Sequence, residues 1–237
     1  MQDASMQHTL QLKASVWDLE AEKLSWVLVK KQFRFFRLPG WGTEIIVESY
    51  PSGMDKVLTF RDYIVRDAQG NLLAQASSAW LLMHTEQRKI MRIPERFIPI
   101  ISDDTDALPR PFDKIIIPDL PPVTSRDYRI SYFHLDWNGH SNNVHILRFV
   151  LETMPDEILF HYRLCEMGIY FKQESVLHDE LEVQSIRDEN SPLQYFHKVI
   201  RKKDFMPVAT AFTSWEKTLV DDGVLITSEG RANYCPK

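Results

Sequence analysis

The sequence predicts an α+β protein built by duplication, each half a helix followed by several antiparallel strands. Three observations point there. First, "IVRDAQGNLLAQASSAW" (64–80) and "VIRKKDFMPVATAFTSW" (199–215) align without a gap, which sets Arg66 on Arg201, Ala74 on Ala209, Ala76 on Ala211 and Trp80 on Trp215. Second, the segments upstream recur in the same order: "TEIIVES" (43–49) and "DELEVQS" (179–185), preceded by the longer β-forming runs 24–38 and 158–173. Third, residues 92–127 between the copies hold seven of the thirteen prolines, which remove ladder donors and disfavour helix. That stretch reads as a linker laid over the surface, dividing the chain into domains 1–91 and 128–237.

The first copy opens with a helix near residues 3–12. A short second helix follows at 16–23, with Ser15 and Asp18 as a capping pair. "DAQGN" (67–71), between alternating apolar runs, predicts a hairpin. In the second copy "DYRISYFHL" (127–135) reads as a strand, and a helix follows it. Val144, Leu147, Val150, Leu151 and Met154 fall on one helical face, Asn142 or Asn143 can cap the start, and Pro155 marks the end. The first copy has almost nothing ahead of its helix, so a first strand is expected to be missing there. Within the linker, "SDDTDA" (102–107) lacks the glycine and glutamate of a calcium loop and reads as solvated acid.

The 237 residues carry a net charge of −5, which disfavours nucleic acid as a partner. Two small basic clusters, Lys30-Lys31 and Arg201-Lys202-Lys203, read as solvated surface. Cys165 and Cys235 are far apart and form no CxxC pair, as in a reducing compartment. No apolar run is long enough to span a bilayer and no signal peptide is visible, so a cytoplasmic location is expected.

The chemistry concentrates in "LDWNGHSNN" (135–143). Residues two apart on an extended segment point the same way, so Asp136, Asn138 and His140 can converge while Trp137 packs oppositely. The helix that follows offers unpaired N–H groups, able to hold an oxyanion. A base, an amide, an imidazole and an oxyanion site suit hydrolysis of an activated acyl group. A metal is not expected, because Asp136, His140 and His145 lack a familiar ligand spacing. A serine nucleophile is disfavoured too: there is no GxSxG elbow, and Ser141 sits where a cap would sit.

"LDWNGHSNN" resembles the D-x-N-x-H-x-N-N signature of the acyl-acyl-carrier-protein thioesterases, and residues 38–83 resemble that family's first domain. The resemblance implies tandem hotdog domains, each a curved antiparallel sheet around a helix. It also implies hydrolysis of the thioester on acyl carrier protein, releasing a free fatty acid and ending chain elongation. It carries the catalytic positions onto Asp136, Asn138 and His140, and through "FKQES" (171–175) onto Glu174, with Asn142, Asn143 and Ser175 at the substrate. Ser175 stands where plant members often have cysteine. The partner implied is acyl carrier protein, with no cofactor; a homodimer is compatible with this. Glu174 or Asp136 would be the general base, helped by burial. Two rivals remain: a hotdog hydrolase of acyl-coenzyme A, favoured less because no glycine-rich phosphate loop is present, and a non-catalytic acyl-binding protein.

Overall fold

A computed structural model describes residues 1–101, 108 and 114–217, together with the backbone of two short strands, Leu225–Ile226 and Ala232–Asn233. The acidic run 102–107 and Cys235 lie outside the described residues. The chain divides into two compact units, Met1–Asp113 and Lys114–Lys237.

The first unit runs α1 (Gln2–Gln11), α2 (Val16–Glu20), β1 (Leu24–Phe35), β2 (Ile45–Asp55), β3 (Leu58–Asp67), β4 (Leu72–His84) and β5 (Lys89–Met91). Its antiparallel sheet has the order β2-β3-β4-β1, with β5 paired to the end of β4. Ser15 caps α2 in a reciprocal box with Asp18, as its sequence predicts. The β3–β4 turn is held by Asp67, whose carboxylate accepts the N–H groups of Gln69 and Asn71. Proline did not keep all of 92–101 on the surface: residues Glu95–Ile100 form a 3-10 turn whose Phe97 is buried with Leu19, Leu24 and Leu82.

The second unit runs β6 (Thr124–Arg129), α3 (Asn143–Glu152), α4 (Asp156–His161), β7 (Tyr162–Phe171), β8 (Glu180–Arg187), β9 (Gln194–Arg201) and β10 (Met206–Lys217). The order is β6-β8-β9-β10-β7. Apart from β6 and β5, the two orders match strand for strand. Among the described residues β2 forms an edge of its sheet, whereas β6 covers the outer edge of β8 in the second unit. β6 begins and ends earlier than "DYRISYFHL" suggested, because Ser131 and His134 close a 3-10 turn over Tyr132–His134. Residues 158–161, counted among β-formers, complete α4.

The duplication extends to irregularities. In β1, Leu28 pairs with Trp80 and Lys30 with Ala79, so Val29 bulges. In β7, Leu164 pairs with Trp215 and Glu166 with Ser214, so Cys165 bulges opposite the same aligned tryptophan. Both strands also end alike. The N–H groups of Phe36 and Arg37 donate to the Leu73 carbonyl, and those of Lys172 and Gln173 donate to the Val208 carbonyl.

The apolar spacing of α3 foretold part of its buried face: Val150 and Met154, both on the expected stripe, are fully buried, and Leu151 packs against the cluster around Met154. Ile146, Phe149 and Val150 are buried, while Val144 is exposed and Leu147 and Leu151 line a surface groove with Leu159. Ile146 and Phe149, off that stripe, join the buried face, and Phe149 stacks on Tyr128 of β6, ring centroids 4.4 Å apart. Among the described residues no helix is long and apolar enough to cross a membrane.

Candidate active site

Residues 135–141 form a tight hairpin-like turn rather than an extended strand. Leu135 bridges Ser141, Asp136 N–H donates to the His140 carbonyl at 2.7 Å, and Gly139 N–H donates to the Asp136 carbonyl at 3.0 Å. Gly139 takes φ 76°, which an ordinary side chain resists. The Asp136 carboxylate is the centre of this turn: one oxygen accepts the N–H of Asn138 at 2.9 Å and of His140 at 3.1 Å. Asp136 therefore shapes the loop, and Asn138 stands exposed on it. Trp137 does not pack inward but is exposed at the tip.

A second backbone link brings the other half of the site. His140 bridges Val176, and Ser141 N–H donates to the Ser175 carbonyl at 2.7 Å. In such a ladder His140 and Glu174 share one face and Ser141 and Ser175 the other. Accordingly His140 Nε2 lies 3.5 Å from Glu174 Oε2, with the two side chains 32% and 34% exposed. Burial of the carboxylate is thus partial. The Ser141 and Ser175 hydroxyls are buried and have no hydrogen-bond partner among the described residues.

Residues that sequence reasoning passed over hold the 174–179 loop. Arg201 donates to the Glu174 carbonyl at 2.8 Å while its guanidinium is pinned by Asp204. Buried Asp179 accepts Val176 N–H at 3.0 Å and the Lys203 ammonium at 2.6 Å, and its carbonyl accepts Ile130 N–H at 2.9 Å. The basic cluster 201–203, read as solvated surface, is therefore partly structural. Its one legible signal was the alignment of Arg201 with Arg66.

Asn142 caps α3: its side-chain oxygen accepts Val144 N–H at 3.0 Å, and its own N–H donates to the His134 carbonyl. The helix terminus expected to receive an oxyanion is thus partly occupied by its own cap, and Asn143 is the first helical residue. His145 bonds the Phe133 backbone and has its pKa lowered by burial; its ring lies 4.8 Å from that of His134.

The order of strands and helices defines tandem hotdog domains of the α+β class. This chain belongs to the acyl-ACP thioesterase family: residues 1–101 match the model for that family's N-terminal domain, and residues 121–217 match its C-terminal domain. A palmitoyl-acyl carrier protein thioesterase of Cuphea hookeriana chloroplasts is 28% identical over 221 residues, 87% of this chain and 52% of that protein. The chloroplast enzyme named likewise in Arabidopsis thaliana is 29% identical over 165 residues, covering 65% and 39% of the two chains. The chain spans about half the length of the first of these curated relatives. Among solved structures, the 12:0-ACP thioesterase of Umbellularia californica superposes with a TM-score of 0.83 at 22% identity, covering 92% of this chain and 87% of the other. An acyl-ACP thioesterase of Bacteroides thetaiotaomicron gives 0.79 at 21% identity, covering 90% and 85%.

Proposed function

We propose that this protein hydrolyses the thioester of acyl-acyl carrier protein, releasing a free fatty acid and ending its elongation. The observation that carries the reading is the approach of Glu174 and His140 beneath a turn built by Asp136. Glu174 takes a proton from water as its oxygen bonds to the thioester carbonyl carbon. The resulting oxyanion collapses, the C–S bond breaks, and the thiolate leaves and is protonated; at a thiol pKa of about 8.5 it needs little acid help. His140 donates from Nε2 to Glu174 and orients the carboxylate toward the water. The Asn138 side-chain amide, projecting from the turn, is the donor to the oxyanion. Asp136 acts as a positioning residue, since one oxygen of its carboxylate accepts two backbone N–H groups of the turn. Asn142 and Asn143 start the helix beside this centre, and Ser175 lies beneath it.

A protein partner is supported by the surface around the turn. Tyr132, Phe133 and Trp137, on and just before the turn, are 73%, 86% and 62% exposed and offer aromatic contacts to a protein surface. The proposed setting is the cytoplasm. The deciding experiment compares turnover of carrier-protein and coenzyme A thioesters bearing the same acyl chain. The carrier-protein ester is expected to turn over faster, with a rate that falls as salt rises. Faster hydrolysis of the coenzyme A ester would overturn the choice of substrate.

A further inference from the structure

In the first unit, the sheet face turned toward α1 carries charge where an apolar core is the usual solution. Lys31, Ser78 and Arg61 stand in one row across β1, β4 and β3. Although Lys30-Lys31 read as solvated surface, Lys31 is only 8% exposed and Arg61 only 7%. The Lys31 ammonium sits 4.3 Å from the centroid of the Tyr63 ring and 5.2 Å from that of Phe33. Arg61 reaches Ser49 Oγ at 3.0 Å and His8 Nδ1 of α1 at 3.1 Å through a single nitrogen. That leaves the rest of its five-donor fork for something else. Among the described residues no carboxylate pairs with either cation, and the neighbouring charge of Arg61 acts against that of Lys31.

Buried charge is retained at a stability penalty unless a counter-charge completes it. The fold itself does not demand charge here. The matching row of the second unit is Met167, Thr213 and Tyr195, all buried and without a formal charge. We propose that Lys31 and Arg61 form an oxyanion site under α1, which takes a carboxylate or a phosphate group. Arg61 supplies the planar fork and Lys31 the point charge, with Tyr63 and Phe33 walling the ammonium. Burial and the charge of Arg61 lower the pKa of Lys31 to about 8 in the empty site. A bound anion would restore the proton, so binding should weaken as pH rises and both Lys31 and the nearby Met1 ammonium, whose pKa burial and Lys31 lower, lose their charge. His8, held neutral by burial and by Arg61, accepts from Arg61 and adds no charge.

The site does not rest on the hydrolase reading, and its test uses no thioester. Full-length protein would be titrated calorimetrically with octanoate, with inorganic phosphate and with uncharged 1-octanol, alongside thermal melts. At least one anion should bind and raise the melting temperature, while the alcohol should not bind at this site. Lys31→Met and Arg61→Met should each weaken that anion by about tenfold or more, the scale of one charge-assisted contact. Glu174→Gln should bind it unchanged, which separates this site from the proposed active centre. Binding of octanoate alone identifies a carboxylate site, and binding of phosphate alone a phosphate site. If neither anion binds, or if Lys31→Met binds as tightly as the wild type, the inference is wrong.

Discussion

The two units follow the same strand plan, down to a bulge opposite each aligned tryptophan, yet they fill it differently. α3 presses Ile146, Phe149 and Val150 onto its sheet, while the only buried residue of α1 is Ser5, whose hydroxyl bonds that of Tyr63 at 2.7 Å. In the second unit the central row is Met167–Thr213–Tyr195, with Thr213 and Tyr195 against Met154; beneath α1 it is Lys31–Ser78–Arg61. At the position after the paired N–H bonds that end β1 and β7, the first unit has Leu38 and the second has Glu174. Duplicated hydrogen-bond ladders therefore do not duplicate chemistry. The backbone pattern sets where a side chain stands, and each copy places there what its own task requires.

The largest effect should test that last difference. Glu174→Ala and His140→Ala are expected to lower kcat about 10²- to 10⁴-fold with unchanged melting, the range for loss of general-base function. Leu38→Ala, at the matching place, should leave kcat unchanged. An active Glu174→Ala enzyme would end the assignment of the site to the second unit.

Next, the two interiors should govern opposite ends of the pH–stability curve. His197 is wholly buried between Ser185 and Thr213, and burial lowers its pKa from 6.5 to about 3. Its unfolded state binds the proton first, so stability present above pH 6.5 is lost as pH falls toward 3. The loss should be of order 4 kcal/mol and should shrink in His197→Gln. Lys31 has its pKa lowered from 10.5 to about 8, so the unfolded state again binds more protons between these values. Stability should rise across that alkaline window, by about 3 kcal/mol relative to Lys31→Met. Denaturant titrations across pH would read both, and equal slopes in wild type and variant would break the contrast.

A smaller effect belongs to the turn ahead of α3 in the second unit. Asp136→Ala leaves two N–H groups without their acceptor and should lower stability by about 1–3 kcal/mol as well as activity. That joint loss distinguishes it from Glu174→Ala. The smallest is expected at the helix starts. Asn142→Ala removes a side-chain cap worth about 1 kcal/mol, whereas α1, whose N-cap Met1 makes no side-chain bond, has no equivalent to lose.

By itself the sequence determined the plan: two copies in register, a capped α2, the Asp67 turn, and a polar row leading into α3. These were legible because each is local, a matter of residue spacing, turn chemistry and a gapless repeat. His140 and Glu174 were named from a motif, but their 3.5 Å approach is made by the backbone link between Ser141 and Ser175, 34 residues apart in the chain. The reading of residues 136–140 as an extended row failed because the alternation that predicts facing holds only while the chain stays extended, and here it turns. Lys31 escaped notice for a related reason. Nothing local distinguishes it from Lys30, and only the pairing of β1 with β4 fixes which of two adjacent lysines turns under the helix. Tertiary structure decided which face each residue took, because strand register is set by distant partners.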